Sequence, residues 1–344
     1  MSGGLQLVHA GLHTTVQDLG RLGYQALGVP VSGALDAVAL RLGNALVGNS
    51  PCAAALEILV SGPTLKILAE SARVAVAGVG AGMVLDDGAR TVPTWHSVTL
   101  ARDQSFRITL GREAVCAYLV IEGGIAVPRV LGSAATYVRA GLGGFHGRSL
   151  RNGDIVGLAL ERASEREEQR LPSPPPSISG EPIRVVLGPQ HDHFTDEALA
   201  TLLAAEFHVS KDADRMGMRL DGPPLRHRRG WDIISDAIAT GAVQVPGSGQ
   251  PILLLADHQT TGGYPKIATV ISSDLPVVGR RRPGDPLRFA AVTIEEAEQF
   301  ARDAQAQLAA LITSIESINV GRGGIDLVSL YDGNLISGVV TAVE

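Results

Sequence analysis

The chain is poor in cysteine: Cys52 and Cys116 are the only two in 344 residues. They are too few and too far apart to make a zinc or thiol-redox motif, and both are expected to be reduced packing residues in the interior. No run of about 18 apolar residues occurs anywhere, which argues against a membrane-spanning helix. The opening stretch MSGGLQLVHAG has neither the basic flank nor the apolar length of an export signal, so a soluble, cytoplasmic protein with no membrane partner is expected. Blocks of positive charge are missing too. The 29 Lys and Arg are outweighed by 35 Asp and Glu, for a net charge of -6. The two basic clusters, RHRRG (226–230) and GRRRPGD (279–285), are too short to follow a phosphate backbone, which argues against nucleic acid as a partner. No hydrolase, kinase, P-loop or GxGxxG pattern is present.

What the chain does contain is 41 glycines and 19 prolines separating short apolar runs: RVAVAGV, SVTLA, FRITL, AYLVIEGG, DIVGLAL, IRVVLG, GAVQVPG and PILLLAD. Runs of this length, rich in Val, Ile and Leu and bounded by turn residues, are strands, so the fold is mainly β. Three stretches have helical spacing instead and are expected to cover sheets. In SGALDAVALRLGNALVGN, Leu35, Val38, Leu42 and Leu46 share a face, with Ser32 placed to cap the start and Gly48 the end. TDEALATLLAAEF repeats the pattern behind Thr195, and in TIEEAEQFARDAQAQLAALITSIES a capping box, Thr293 with Glu296, precedes a stripe of Ala297, Phe300, Ala304, Leu308 and Leu311. The charged, proline-rich stretch ASEREEQRLPSPPPSISGEP (163–182) has almost nothing to bury. It divides the chain into an N-terminal domain (1–165), a linker (166–182) and a C-terminal domain (183–344), with the last stretch (326–344) able to pair with either half.

Candidate chemistry concentrates in four places. In residues 14–36, Gln17, Asp18 and Arg21 precede a glycine-rich loop that runs into a helix near Ser32. Free N–H groups at such a helix start can receive an anion or a polarised carbonyl, although Ser32 can be a plain cap, Asp18 and Arg21 a plain ion pair, and Asp36 a partner of the helix dipole. Glu57 is a lone carboxylate in an apolar strand, so it points either to solvent or into a polar cleft. Arg215 follows two aspartates, with Gly217 free to take an unusual backbone angle. The richest stretch is ADHQTTGGYPK (256–266). There Asp257 accepts hydrogen bonds, Gln259, Thr260 and Thr261 donate or accept, Tyr264 donates and Lys266 brings charge, while Gly262 and Gly263 let backbone N–H groups come close to a ligand. That donor set suits an amide or urea carbonyl gaining negative charge; His258 is read as structural.

These residues lie in stretches that resemble a known family. QDLGRLGYQALGVPVSGALD, GNSPCAAALEI, YVRAGLGGFHGRSLRNGD, DRMGMRLDGPPL and QVPGSGQPILLLADHQTTGGYPKIATVISSDLP are similar, in that order, to the signatures of the biotin-dependent carboxyltransferase family, also called allophanate hydrolase subunit 2. The family includes the C subunit of bacterial 5-oxoprolinase, the carboxyltransferase portion of urea carboxylase, and an antagonist of a sporulation-kinase inhibitor. The resemblance runs from Leu5 to about Glu298, and departs where His258 replaces an expected arginine and Leu35 a methionine. It implies two cyclophilin-like β-barrel domains. It also implies partners: a B-type subunit, which is kinase-inhibitor-like, and an A-type subunit.

None of the four methionines adjoins a lysine, so the expected biotinylation motif is missing, and no nucleotide loop is evident; the chain is expected to be a component of a larger enzyme. The expected activity is that of the C subunit of an ATP-dependent 5-oxoprolinase, opening a small amide substrate to glutamate. ATP and magnesium would be used by the complex, and this chain would bind no cofactor or metal. The alternatives are a carboxyltransferase component that takes carboxyl groups from biotin on a partner, and a non-catalytic regulator of a kinase inhibitor. On this resemblance Lys266, Gln259 and Tyr264 polarise the carbonyl, Asp18 or Asp36 accepts from nitrogen, and Arg21 takes the substrate carboxylate. Gln17, Ser32, Glu57, Arg215, Gln244, Thr260, Thr261, Gly262 and Gly263 complete the binding set. The arrangement requires the bends at 17–21 and 262–266 to line one cavity.

Overall fold

A strand whose residues are all apolar must be covered on both faces, and AYLVI meets that condition: Cys116–Ile121 is buried at every position. The computed structural model describes residues 3–85, 88, 90–111, 115–175 and 180–318. The expected pairing of the 326–344 stretch lies outside them. In the first half the elements are β1 (Gly4–His9), β2 (His13–Gln17), α1 (Ala37–Leu46), β3 (Ala55–Leu59), β4 (Thr64–Ile67), β5 (Ser71–Ala77), β6 (Ala81–Leu85), β7 (Arg90–Pro93), β8 (Ser97–Ala101), β9 (Ser105–Leu110), β10 (Cys116–Ile121) and β11 (Ile155–Gly157). They form two sheets, ordered β11-β1-β4-β9-β6-β7 and β2-β3-β10-β5-β8. Leu5, Leu7, Leu65 and Phe106 of the first sheet meet Leu56, Ile58, Val74 and Leu119 of the second in one core. The opposite face of β10, with Cys116, Tyr118 and Val120, lies in a second core with Leu40, Leu42 and Leu46 of α1.

The second half contains β12 (Gln169–Arg170), β13 (Ile183–Leu187), α2 (Asp196–Ala204), β14 (Phe207–Ala213), β15 (Gly217–Asp221), β16 (Asp236–Ala237), β17 (Ala242–Gln244), β18 (Ile252–Leu254), β19 (Thr261–Gly262), β20 (Lys266–Val270), α3 (Leu275–Val278), β21 (Pro286–Leu287), β22 (Phe289–Ala291), α4 (Ile294–Thr313) and β23 (Glu316–Ser317). Eight of these strands form a sheet ordered β21-β14-β15-β18-β17-β20-β13-β22, around a core that includes Val185, Phe207, Leu253 and Phe289 and is joined by Ala198 and Leu202 of α2. The fold is thus mostly β and barrel-like, with the helices laid on the sheets.

Local chemistry explains most of the helix boundaries. The capping box of α4 forms as the sequence predicts, Thr293 Oγ1 accepting from Glu296 N and Glu296 accepting from Thr293 N. Its apolar stripe is shallower than expected, with Leu308 the one residue of the helix that is buried. At α1 the cap is Asp36, which accepts from Ala39 N at 3.0 Å. Ser32 does not cap: it sits at φ 55° and donates its N–H to Ala256 O, so its backbone serves a contact between the halves. Two further expectations need correction. The 163–182 stretch contributes β12, paired with β23, and buries Leu171 beside α1. Cys52 is exposed, whereas Cys116 is buried.

Candidate functional site

In β2 the polar residues His13, Thr15 and Gln17 alternate with Thr14 and Val16, and the period of a strand puts them on one face. Thr15 lies opposite Glu57 of β3, which in turn lies opposite Tyr118 of β10. Glu57 therefore points away from the core between the two sheets and toward the second half of the chain. Its side chain is fully buried, and Oε2 accepts from Tyr118 Oη at 2.6 Å and from Leu35 N at 2.9 Å. Tyr118 Oη also accepts from Asp36 N at 2.9 Å, with Cys116 Sγ 3.3 Å away. Burial pushes both the phenol and the thiol well above their ordinary values, so each keeps its proton.

Arg215 meets this carboxylate from the turn between β14 and β15. Asp214 holds that turn, accepting from Met216 N at 2.7 Å and Gly217 N at 3.2 Å. The Arg215 guanidinium donates to Glu57 Oε1, to both oxygens of Asp257 at 2.9 and 3.2 Å, and to Gly33 O at 2.6 Å. Burial opposes its charge, but Glu57 and then Asp257 outweigh burial and raise its pKa. A buried arginine between two carboxylates is stable only as a fully bonded set, and this set joins the halves. His13 stands beside it. Burial, then the Arg215 charge, holds its imidazole below the ordinary range, with Glu57 and Asp257 offsetting part of the effect.

Asp18 and Arg21 are drawn into a different contact. Asp18 accepts from Gly20 N at 2.8 Å, Ser133 Oγ at 2.6 Å and Ala134 N at 2.7 Å, and Arg21 donates to Ala135 O. Their hydrogen bonds thus go to Gly20 N and the 133–135 segment rather than to one another, so the plain ion pair, one of the two readings of these residues, does not form. Gln17 donates to Thr15 Oγ1 and Thr136 O, both at 3.1 Å. Gln17 Oε1, Arg21 Nε and Nη1, and Ser32 Oγ are buried without partners. Asp36, beyond its capping role, receives Arg280 Nε at 2.5 Å.

The loop at 256–266 is pinned by the 233–238 segment. Asp236 and Ala237 of β16 pair with Gly262 and Thr261 of β19, Gly263 O accepts from Ile233 N at 2.8 Å, and Thr260 O accepts from Ile238 N at 3.0 Å. Lys266 is buried and donates from Nζ to Asp236 Oδ2 at 2.7 Å and Ala237 O at 3.1 Å. Gly262 packs closely on two side-chain ends, so that a Cβ there would lie 2.8 Å from Gln244 Nε2 and from Ile238 Cδ1 and would displace them. Gln259 Nε2 reaches Gln244 Oε1 at 3.4 Å, and Tyr264 is half-exposed. His258 is buried between Thr240 Oγ1 and its neighbour's carbonyl, Gln259 O; burial holds its pKa down.

Two cavities flank the Arg215 turn. One, of about 420 Å³, is lined by Gln244, Gln259 and Tyr264 together with Lys211, Asp214 and Arg219. The other, of about 350 Å³, lies at the junction of the halves between His13, Val60, Tyr137 and Arg139 on one side and Arg215 and Asp257 on the other. Neither takes in Gln17, Asp18, Arg21 or Lys266, so these two cavities do not bring the bends at 17–21 and 262–266 together as expected. Sequence reasoning passed over His13, Tyr137, Arg139 and Asp236. Of these only His13 left a usable signal, the alternation of polar residues in HTTVQ. Among the described residues, no group of three or more His, Cys, Asp or Glu is placed to hold a metal, and no helix is long and apolar enough to cross a membrane.

The family model described as carboxyltransferase domain, subdomain A and B, matches residues 27–291. The chain is 36% identical over 303 residues to the C subunit of 5-oxoprolinase from Escherichia coli, covering 88% of this chain and 95% of that protein. It is 30% identical to urea amidolyase of Saccharomyces cerevisiae, over 86% of this chain but 17% of that protein. The crystal structure of the Kluyveromyces lactis urea carboxylase superposes with a TM-score of 0.81 at 28% identity, covering 92% of this chain and 30% of that one.

Proposed function

We propose, for a chain that belongs to the family of carboxyltransferase domains with subdomains A and B, that it is the C subunit of an ATP-dependent 5-oxoprolinase and binds the lactam that the complex opens to glutamate. The observation that carries the reading is similarity: over most of its length the chain is 36% identical to a 5-oxoprolinase C subunit and 30% identical to a urea amidolyase. Partner subunits, among them a kinase-inhibitor-like one of the B type, complete the enzyme in the cytoplasm. ATP and its magnesium ion are assigned to them.

The junction cavity supplies the chemistry a lactam needs. Asp257 has a carboxylate on its wall, able to accept from the ring N–H, and Arg215 fixes that carboxylate through two hydrogen bonds. Arg139 also lines the cavity and is exposed, so it replaces Arg21, which is not among the lining residues, as the receptor of the substrate carboxylate. In the overall reaction water adds to the lactam carbonyl carbon, the C–N bond breaks and the nitrogen takes a proton. The chain's part is to hold the amide and its carboxylate in one orientation while the partners activate the carbonyl. Tyr264, Gln259 and Gln244 line the neighbouring cavity and are assigned to substrate passage or partner contact there, while Lys266 holds the adjoining loop through Asp236 and Ala237 O. Asp18 and Asp36 hold backbone.

The test is glutamate formation from 5-oxoproline and ATP by the chain assembled with its partner subunits. Turnover that Asp257→Asn abolishes, with the complex intact, supports the reading. An intact wild-type complex that forms no glutamate sinks it. The likeness to urea carboxylase favours a second reading, carboxyl transfer to urea from biotin on a partner. That reading requires a biotinylated chain in the native complex, visible on a streptavidin blot.

A further inference from the structure

Val60 occupies a backbone conformation that its side chain disfavours. Its φ is +69°, and Ser61 N donates to Leu59 O at 2.8 Å, closing a three-residue γ-turn with Val60 at the centre. A β-branched residue in this region is an outlier. Of the six non-glycine residues with positive φ among those described, it is the only β-branched one. The turn is held from outside. Ser61 Oγ accepts from Leu12 N at 2.8 Å, a Cβ on Gly11 would lie 2.3 Å from Ser61 O, and one on Gly62 would lie 1.9 Å from Ile108 O.

Core packing does not explain the choice of valine, since the residue is 68% exposed. Nor does the turn, which glycine would make without strain. What remains is the side chain's position. Val60 lines the junction cavity together with Leu59 and Val138, on the side that also carries His13, Tyr137 and Arg139, while Asp214, Arg215, Met216 and Asp257 line the other side. Strain kept at an exposed position on a cavity wall is a mark of function. A cavity in which an apolar patch, Leu59, Val60 and Val138, adjoins charged groups fits an amide that has both apolar and polar edges.

We infer that Val60 determines specificity in the junction cavity: its isopropyl group forms the apolar wall against which the ring methylenes of a lactam lie, so the site takes a cyclic amide in preference to urea. The inference rests on the 5-oxoprolinase reading and adds a reason for its substrate class. Val60→Gly and Val60→Asn both relieve the backbone while removing the isopropyl group. In the assembled complex each should leave Tm unchanged or higher and raise KM for 5-oxoproline about five- to tenfold, the size expected for a lost apolar contact, with kcat little changed. An unchanged KM overturns the inference, whether or not Tm falls. A second measurement separates it from the parent reading. Binding of 2-pyrrolidinone and of urea is compared by ligand-observed NMR on the wild-type complex and on Val60→Gly. A lactam preference that disappears in the variant supports the inference even if the wild-type complex forms no glutamate, and a preference that is absent from the start or survives the substitution overturns it.

Discussion

Arg215 and Arg21 are both nearly inaccessible to solvent, at 5% and 1% exposure, yet their surroundings are opposite. Arg215 has two carboxylates and a carbonyl as partners, and its pKa is raised despite burial. Arg21 has one carbonyl partner, two buried nitrogens without any, and a pKa lowered by burial that Asp18 and Asp257 only partly offset. Residue type and depth do not assign a role; the partner set does. Arg215 is a clasp whose charge is balanced where it sits, whereas Arg21 is a buried cation short of partners.

The largest effect that tests this contrast is Arg215→Ala. It leaves Glu57 and Asp257 facing each other's surroundings without a cation, and removing one member of a buried ionic set costs about 3–5 kcal/mol. Thermal and urea unfolding of the variant should show a loss of that size. A loss below about 1 kcal/mol would mean that water screens the cluster and that the clasp is not structural.

Tyr118→Phe comes next. Without the hydroxyl, Glu57 Oε2 loses a donor and Asp36 N loses its acceptor, two buried groups at about 1–3 kcal/mol for the set. Denaturant unfolding measures it, and coupling to Arg215→Ala in a double-mutant cycle shows whether the tyrosine acts through the same cluster.

The residues of this cluster show why the site was only partly legible in the sequence. Strands and capping boxes are local, so AYLVI and Thr293–Glu296 announced themselves. Gln244, Gln259 and Tyr264 were also found, because a polar loop beside an apolar strand is a local signal, and they do share a cavity. Glu57 and Arg215, by contrast, are 158 positions apart, and nothing in either segment specifies the other. The same holds for Lys266, whose partner Asp236 arrives through the pairing of two-residue strands. Asp18 and Arg21 resembled catalytic residues, because the sequence does not reveal that the 133–135 segment takes up Asp18's oxygens and one Arg21 nitrogen. His13 shows in the sequence only through the polar alternation of HTTVQ, which gives its strand face but not the Arg215 and Asp257 it faces across the cavity.

A smaller effect reports on His13 and His258, whose folded pKa values lie below the ordinary 6.5. The unfolded chain takes up their protons near pH 6.5 while the folded chain does not. Their contribution to stability is therefore complete above that pH and is lost as pH falls toward the folded values, with a slope of at most about 1.4 kcal/mol per pH unit for each proton. Tm measured from pH 7.5 to 5 should decline through this window, less so in His13→Gln and in His258→Gln. Because the Arg215 charge contributes to the depression at His13, the NMR titration of His13 should move upward in a folded Arg215→Met protein while that of His258 stays in place.

The smallest expected effect is the most informative for the opening contrast. Arg21→Met removes one hydrogen bond and a buried charge that the described structure leaves largely unbonded. Asp18 keeps its three donors in the variant, so no carboxylate is stranded as it is when Arg215 is lost. The desolvation that is relieved and the hydrogen bond that is lost are comparable and opposite in sign, and the net change should stay within about 1 kcal/mol, of either sign. Urea unfolding of Arg21→Met and Arg215→Ala under one set of conditions provides the comparison. If the two variants lose similar amounts, Arg21 is as fully compensated as Arg215, and the difference in partners drawn between them does not set their roles.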